Sequence, residues 1–153
     1  MATVSPEELR EYAGRTLSPS SWKTVTQDLI DGFADVTDDH QFIHVDLEKA
    51  SRGPFGTTIA HGFLTLSLLP GLTKAVQGSS SQYEGVKLGV NYGLNRVRFP
   101  APVKADSRVR ARSKLKEVTE VEGGLQLIRE IAIEVEGQEK PACVAESISR
   151  LYF

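Results

Sequence analysis

The spacing of apolar residues changes character near Val86. Upstream, Leu29, Ile30, Phe33 and Ala34 fall on one stripe of a helix, with Thr26 as its N-cap and Asp28 in its first turn. Asp38 and Asp39 end that period just past Thr37, because paired aspartates are poor helix interior. A shorter helix is predicted from Ser5. Pro6 opens it, Glu8 completes a capping box, Leu9, Tyr12 and Ala13 form its stripe, and Gly14 stops it. Trp22 to Val25 reads as a short strand, and SRGPFGTT (51–58) as a turn-rich connection. From Ile59 the run IAHGFLTLSLLPGL is apolar almost all round, with Thr57 or Thr58 as its cap. This pattern predicts a helix buried on every side, kinked or stopped near Pro70. GSSS (78–81) then reads as a surface loop.

Downstream of Val86 the chain is rich in strand-forming residues. VKLGVNYGLNRVRF reads as a strand bent at Gly89 and Gly93. Past PAPV the residues alternate. Val109, Ala111, Ser113 and Leu115 share one face, and Arg108, Arg110, Arg112, Lys114 and Lys116 the other. A turn about Gly123 and Gly124 leads to Leu125, Leu127, Ile131, Ile133 and Val135 on the continued apolar face. That turn predicts Lys116 opposite Glu130, Arg112 opposite Glu134 and Arg110 opposite Glu136. A last strand runs from about Ala142 to Phe153. Helices followed by antiparallel strands make an α+β pattern.

The composition adds exclusions. With 153 residues, 40% hydrophobic and 25% charged, the chain suits one domain with its own core. A net charge of −2 argues against a nucleic-acid binder. The basic row from Arg108 to Lys116 reads as a solvated, self-compensated face. The apolar run at Ile59 is too short to span a membrane, which needs ~20 apolar residues. No secretory pattern opens the chain, and the lone Cys143 excludes an internal disulfide; both suit the cytoplasm.

The chemistry concentrates between Phe33 and Asp46. Asp39 and His44, five residues apart on a segment leaving a helix, place an acid and a base where they can share a water. His40 and His44, four apart, suggest a metal pair, but the turn-prone aspartates work against the helix that would align them, so no metal is expected.

This stretch, FADVTDDHQFIHVD, resembles the signature of the MaoC-like R-specific enoyl-CoA hydratases, F-A-x-x-[ST]-G-D-x-N-P-x-H-x-D. Phe33, Ala34, Thr37, Asp39, His44 and Asp46 match it, while Asp38 replaces glycine, Gln41 asparagine and Phe42 proline. IAHGF and RFPAPVKADSRV are similar to further family segments in the right order, with Asp106 near the family's G-D turn. The resemblance implies a hot-dog fold, a curved antiparallel sheet around a central helix, as a single domain over 1–153 with 1–14 an appendage. It implies hydration of trans-2-enoyl-CoA to (R)-3-hydroxyacyl-CoA, with water held by Asp39 and His44 and the carbonyl oxygen met by the Gly62 N–H. Gln41 and His61 would border the substrate, His61 by positioning its turn. Arg96, Arg98 and Lys104 are candidates for the coenzyme A phosphates. No cofactor is implied, and a homodimer is. The alternatives are a 3-hydroxyacyl-ACP dehydratase, a hot-dog thioesterase, or a non-catalytic acyl-thioester-binding relative whose altered Asp38, Gln41 and Phe42 mark the difference.

Overall fold

The computed structural model describes residues 5–74, 76 and 83–153, so the predicted GSSS loop lies outside the described residues. Among the described residues eleven elements follow in order: α1 (Pro6–Glu11), β1 (Lys23–Thr24), α2 (Gln27–Thr37), α3 (Phe42–Val45), α4 (Leu47–Ser51), α5 (Gly62–Ser67), α6 (Leu69–Thr73), β2 (Leu88–Arg98), β3 (Arg108–Val121), β4 (Gly124–Val135) and β5 (Cys143–Tyr152). The strands form one antiparallel sheet in the order β1-β3-β4-β5-β2, curled into a half-barrel. This is the α+β hot-dog arrangement that the resemblance implies.

Local chemistry accounts for the helix ends. Ser5 and Glu8 make both bonds of the capping box, and Gly14 turns the chain with φ +84°. Leu9 is buried, whereas Ala13 is exposed. Thr26 accepts the Leu29 N–H, and α2 ends where Asp38 takes the left-handed conformation, φ 60°. That backbone explains the glycine in the family pattern: at this position the chain needs a residue that tolerates positive φ.

The alternating face is where the pattern puts it. Val109, Ala111, Ser113, Leu115, Leu125, Leu127, Ile131, Ile133 and Val135 are all buried. The register differs from the expected one. A two-residue turn pairs Val121 with Gly124, and a bulge at Lys116 separates the Leu115–Arg129 pair from the Glu117–Ile128 pair. Arg110 therefore pairs with Glu134, Arg108 with Glu136 and Lys114 with Glu130, while Lys116 reaches across to Glu146 on β5. Arg112 meets Glu134 diagonally at 2.9 Å. Such exposed pairs add about 0.2–1 kcal/mol each and fix register more than stability. The bulge also turns Val118 back onto the inner face, beside Leu115 and Leu127.

The apolar run at Ile59 departs from expectation. It forms two short helices, α5 and α6, interrupted at Leu68, and its N-cap is His61 instead of Thr57 or Thr58. Leu64, Thr65 and Leu72 are buried against the sheet, but Phe63 is 69% exposed and Leu66, Leu68 and Leu69 are half-buried. The helix is thus covered on one side by its own chain. No described helix is long and apolar enough to cross a membrane. Cys143 lies wholly inside the core, where burial pushes its thiol up to about 11 and keeps it protonated.

Candidate active site

The segment after α2 does not stay an open loop. It turns at Asp38 and Asp39, then forms α3 and α4, whose four and five residues are too few to signal a helical period in the sequence. Three ties hold α3 against the chain ahead of α5. The Ile59 N–H donates to the Ile43 carbonyl at 2.9 Å, His44 Nδ1 meets the Ile59 carbonyl at 2.7 Å, and Gln27 Nε2 donates to the His44 carbonyl at 2.7 Å. Gln27 also takes the Thr58 hydroxyl at 2.6 Å and binds Asp31 at 2.8 Å. Gln27 and Thr58 carry no pattern of their own in the sequence, yet they clamp α2, α3 and the strand-like 58–60 segment together. That segment is fixed from its other side by Ala60 N–H to the Val103 carbonyl and by an Ile59–Lys104 bridge.

The outcome is a cluster of three groups. One ring nitrogen each of His44 and His61 and a carboxylate oxygen of Asp39 lie within 4.8 Å of one another. The two imidazoles stack with centroids 3.7 Å apart and planes 23° apart, and Phe33 closes the other side of His61 at 5.0 Å. His44 and His61 are buried and Asp39 is exposed. A carbonyl only accepts, so its partner fixes the tautomer of each ring. His44 carries its hydrogen on Nδ1, toward Ile59, and presents the Nε2 lone pair. His61 carries its hydrogen on Nε2, toward the Asp39 carbonyl at 2.9 Å, and presents Nδ1. That Nδ1 is buried with no hydrogen-bond partner. A buried acceptor left unpaired costs about 1–3 kcal/mol.

Electrostatics agree. Burial lowers the His44 pKa below 6.5, and the neighbouring His61 lowers it further, against the opposing effects of the Ile59 hydrogen bond and Asp39. The ring is therefore a neutral base near pH 7. His40 does not join it: the ring is exposed and bonded to Asp35 at 2.9 Å, which raises its pKa. The His40–His44 metal pair considered from spacing is not formed. Asp39, His44 and His61 are donors a divalent ion accepts, but stacked rings aim their in-plane lone pairs side by side rather than at one point.

The remaining predicted positions spread around this cluster. Gly62 opens α5, whose N-cap side chain makes no capping bond, so the first-turn N–H groups are left for another acceptor. A Cβ at Gly62 would stand 2.8 Å from the Phe99 ring, so close packing also demands glycine there. The Gln41 N–H points to Asp39 Oδ1 at 3.4 Å and its carbonyl accepts the His44 N–H, while its side chain lies at the surface. Lys104 is exposed beside Ile59. Arg98 adjoins Phe99 and bonds its guanidinium to the Val97 carbonyl at 2.7 Å. Arg96 sits at a β2 bulge with φ 53°, near Lys116 and Glu146.

A cavity of about 660 Å³ lies between the helices and the sheet, walled by Leu66, Leu69 and Pro70 on one side and Ser113, Ile131 and Ser147 on the other. It does not touch the three clustered groups. Its helical wall begins four residues beyond Gly62, about 6 Å along the axis.

Comparison with known proteins fits this arrangement. The MaoC-like domain profile matches residues 8–135. A Mycobacterium tuberculosis protein named 3-hydroxyacyl-thioester dehydratase Z is 54% identical over 147 residues, covering 95% of each chain. An Archaeoglobus protein described as a monoamine oxidase regulatory protein superposes with a TM-score of 0.80 at 25% identity, covering 99% of this chain and 98% of that one. The (R)-hydratase from A. caviae involved in PHA biosynthesis superposes with a TM-score of 0.70 at 23% identity, covering 91% and 96%. The chain belongs to the MaoC-like domain family, and it is a hydro-lyase of the hydratase–dehydratase kind.

Proposed function

We propose that this hydro-lyase is an R-specific enoyl-CoA hydratase of the cytoplasm, adding water reversibly to trans-2-enoyl-CoA. The observation that carries the reading is the approach of the Asp39 carboxylate to the stacked His44 and His61 rings, all within 4.8 Å, beside the first turn of α5. Water sits among these acceptors. His44 Nε2 takes one proton as the oxygen bonds to C3, charge builds on the thioester oxygen against the Gly62 N–H, and that same proton passes from His44 by way of the Asp39 carboxylate to C2. His44 is the base because its free lone pair is fixed by Ile59 and its charged form is disfavoured by burial. The acyl chain runs along α5 and α6 into the 660 Å³ cavity. Gln41 borders the thioester, and Lys104, with Arg98 and Arg96 farther along, meets the coenzyme A phosphates. No cofactor takes part.

A second reading is the reverse reaction on a carrier-protein thioester, favoured by the 54% identical relative named a 3-hydroxyacyl-thioester dehydratase. Hydration of short and long trans-2-enoyl-CoA is followed as loss of the conjugated absorbance, with chiral analysis of the product. The expected result is turnover to the R product. Release of free coenzyme A, or no turnover of any enoyl thioester, overturns the hydratase. A higher kcat/KM for the same 3-hydroxyacyl group on carrier protein than on coenzyme A selects the second reading.

We also propose that the protein works as a homodimer. Its support is the outer edge of β2, eleven residues long and without a strand partner among the described residues, with Leu88, Val90, Tyr92 and Leu94 exposed, together with the 69% exposed Phe63.

A further inference from the structure

The inward face of the sheet is apolar at its ends and polar in its middle. On β4, Leu125, Leu127, Ile131, Ile133 and Val135 are buried at alternate positions, and Arg129 stands where that alternation calls for one more apolar residue. Cross-strand pairing sets Arg129 beside Leu115 on β3 and Ser147 on β5. The interruption recurs on β5, where Cys143, Ala145 and Leu151 are buried and Ser147 and Ser149 fall between them. On β3, Ser113 takes the same place between Ala111 and Leu115. These four polar residues lie on adjacent rungs of three neighbouring strands, and all of them border the cavity of about 660 Å³.

Packing alone does not ask for a cation there, because a charge taken out of water is costly unless it meets a partner. Arg129 is half-buried, and its fork is held in place: Nη2 donates to the Tyr83 hydroxyl at 2.7 Å and Nη1 to the Ser149 hydroxyl at 3.0 Å. Neither bond cancels the charge. Burial raises the Tyr83 pKa against the lowering by Arg129, so the phenol stays protonated. Among the described residues that border the cavity none is Asp or Glu, and Lys74 adds a second cation. The facing wall of Leu66, Leu69 and Pro70 is hydrocarbon.

We propose that this cavity is a binding site for an alkyl chain ending in a carboxylate, with the chain along α5 and α6 and the carboxylate at Arg129. The volume falls within the range of small-molecule sites, about 300–1,000 Å³. A planar guanidinium and a carboxylate form strong, charge-assisted hydrogen bonds, and the neighbouring serine hydroxyls are further donors for the same oxygens. A chain ending in a methyl group would leave all of these groups against hydrocarbon. Two molecules share the chemistry that fits: an acyl thioester whose far end carries a second carboxyl, and a free fatty acid. The first rests on the hydratase reading above and deepens it, whereas the second is independent of it.

Two measurements on the full chain separate these sources. One compares kcat/KM for two trans-2-enoyl-CoA substrates of equal chain length, ending in a carboxylate or in a methyl group. The other follows binding of decanoate and of uncharged decanol by calorimetry. The carboxylate-ended thioester is expected to be preferred by about 10–100-fold, the effect of one charge-assisted hydrogen bond, and Arg129→Met abolishes that preference. Tighter binding of decanoate than of decanol, lost in Arg129→Met and without a preference between the thioesters, assigns the cavity to a free acid. Melting curves check that the variant is folded. If Arg129→Met is not, Arg129→Gln removes the charge while keeping an amide donor for Tyr83 or Ser149, and the same loss is expected. No carboxylate preference in either measurement overturns the proposal, as does a preference that survives removal of the Arg129 charge. Inactivity on every enoyl thioester overturns the hydratase reading, and the calorimetry then decides the cavity by itself.

Discussion

His44 and His61 stack at 3.7 Å although 17 positions separate them, and each has its tautomer fixed by a backbone carbonyl. A neighbouring ring this close disfavours a proton on His44. Burial and this neighbour both lower the His44 pKa. The acid limb of kcat/KM is therefore expected below pH 6.5, the ordinary histidine value. Stability follows the same sign. Below 6.5 the unfolded chain binds a proton at His44 that the folded chain refuses, so the contribution is intact above 6.5 and is lost as pH falls toward the folded pKa. Paired pH–rate profiles and pH-dependent melts of the parent and His44→Gln check this. In the variant the melting temperature declines less between pH 6.5 and 5.

Asp39→Asn and His44→Gln each remove one proton-handling group and leave the backbone ties through Ile59 and Gln41 in place. Loss of a positioned acid or base costs typically 10²–10⁴-fold. Both variants are expected to lose kcat within that range while melting near the parent. The double variant should lose little more than either single one, since the proposed mechanism has the two groups acting on one water. Full activity in either single variant removes its assigned role.

The Gln27 side chain predicts a loss away from the chemistry. It holds the His44 carbonyl, the Thr58 hydroxyl and Asp31 at once. Gln27→Leu leaves those groups without partners and should cost about 1–3 kcal/mol. In a domain of this size each kcal/mol lowers the melting point by about 2–4 °C. Thr58→Val should add less to Gln27→Leu than it costs alone, since both break the same network. Strict additivity in thermal melts would show that the clamp is not one unit.

What the sequence disclosed is what short stretches of chain decide for themselves. The stripe through Leu29, Ile30, Phe33 and Ala34, the Ser5–Glu8 capping box and the alternating face of β3 depend on neighbours a few residues away. Asp39 and His44 were legible because one signature holds both. The β3–β4 register was not, because the bulge at Lys116 leaves alternation on either side of it intact and shifts only the partner strand. Nor were α3 and α4, which are stable through Gln27 and Ile59 and not through their own length. His61 was placed at its turn, but not the contacts it makes there. Its partners, the Asp39 carbonyl and the His44 ring, come from a segment that only the fold brings near.

Gly62 answers two demands that one substitution pair separates. Gly62→Ala forces a methyl group against the Phe99 ring, 2.8 Å from where its Cβ would be, and overpacking of this kind costs about 1–3 kcal/mol. The variant should melt several degrees lower and lose activity as α5 shifts. Phe99→Leu, combined with it, removes the ring face and should restore both, because the backbone N–H proposed to meet the substrate oxygen survives in alanine. Restored melting with activity still absent would mean that Gly62 serves something other than its N–H and its fit against Phe99.

The exposed edge of β2 predicts the assembly. An eleven-residue edge strand, paired with β5 on one side only among the described residues and carrying Leu88, Val90, Tyr92 and Leu94, is a template for another strand, and α5–α6 leaves Phe63 in solvent. A second copy, meeting β2 edge to edge about a two-fold axis, would cover both. Sedimentation of the parent is expected at twice the 16.7 kDa chain mass, and Leu88→Lys with Val90→Lys should move it to the chain mass. These lysines lie on the edge strand, away from Asp39, His44 and His61, so any fall in turnover that accompanies dissociation measures what the partner lends the site. If the parent sediments as a monomer at micromolar concentration, the edge must be protected by some other means, and the apolar face of β2 would be left without the occupant proposed for it.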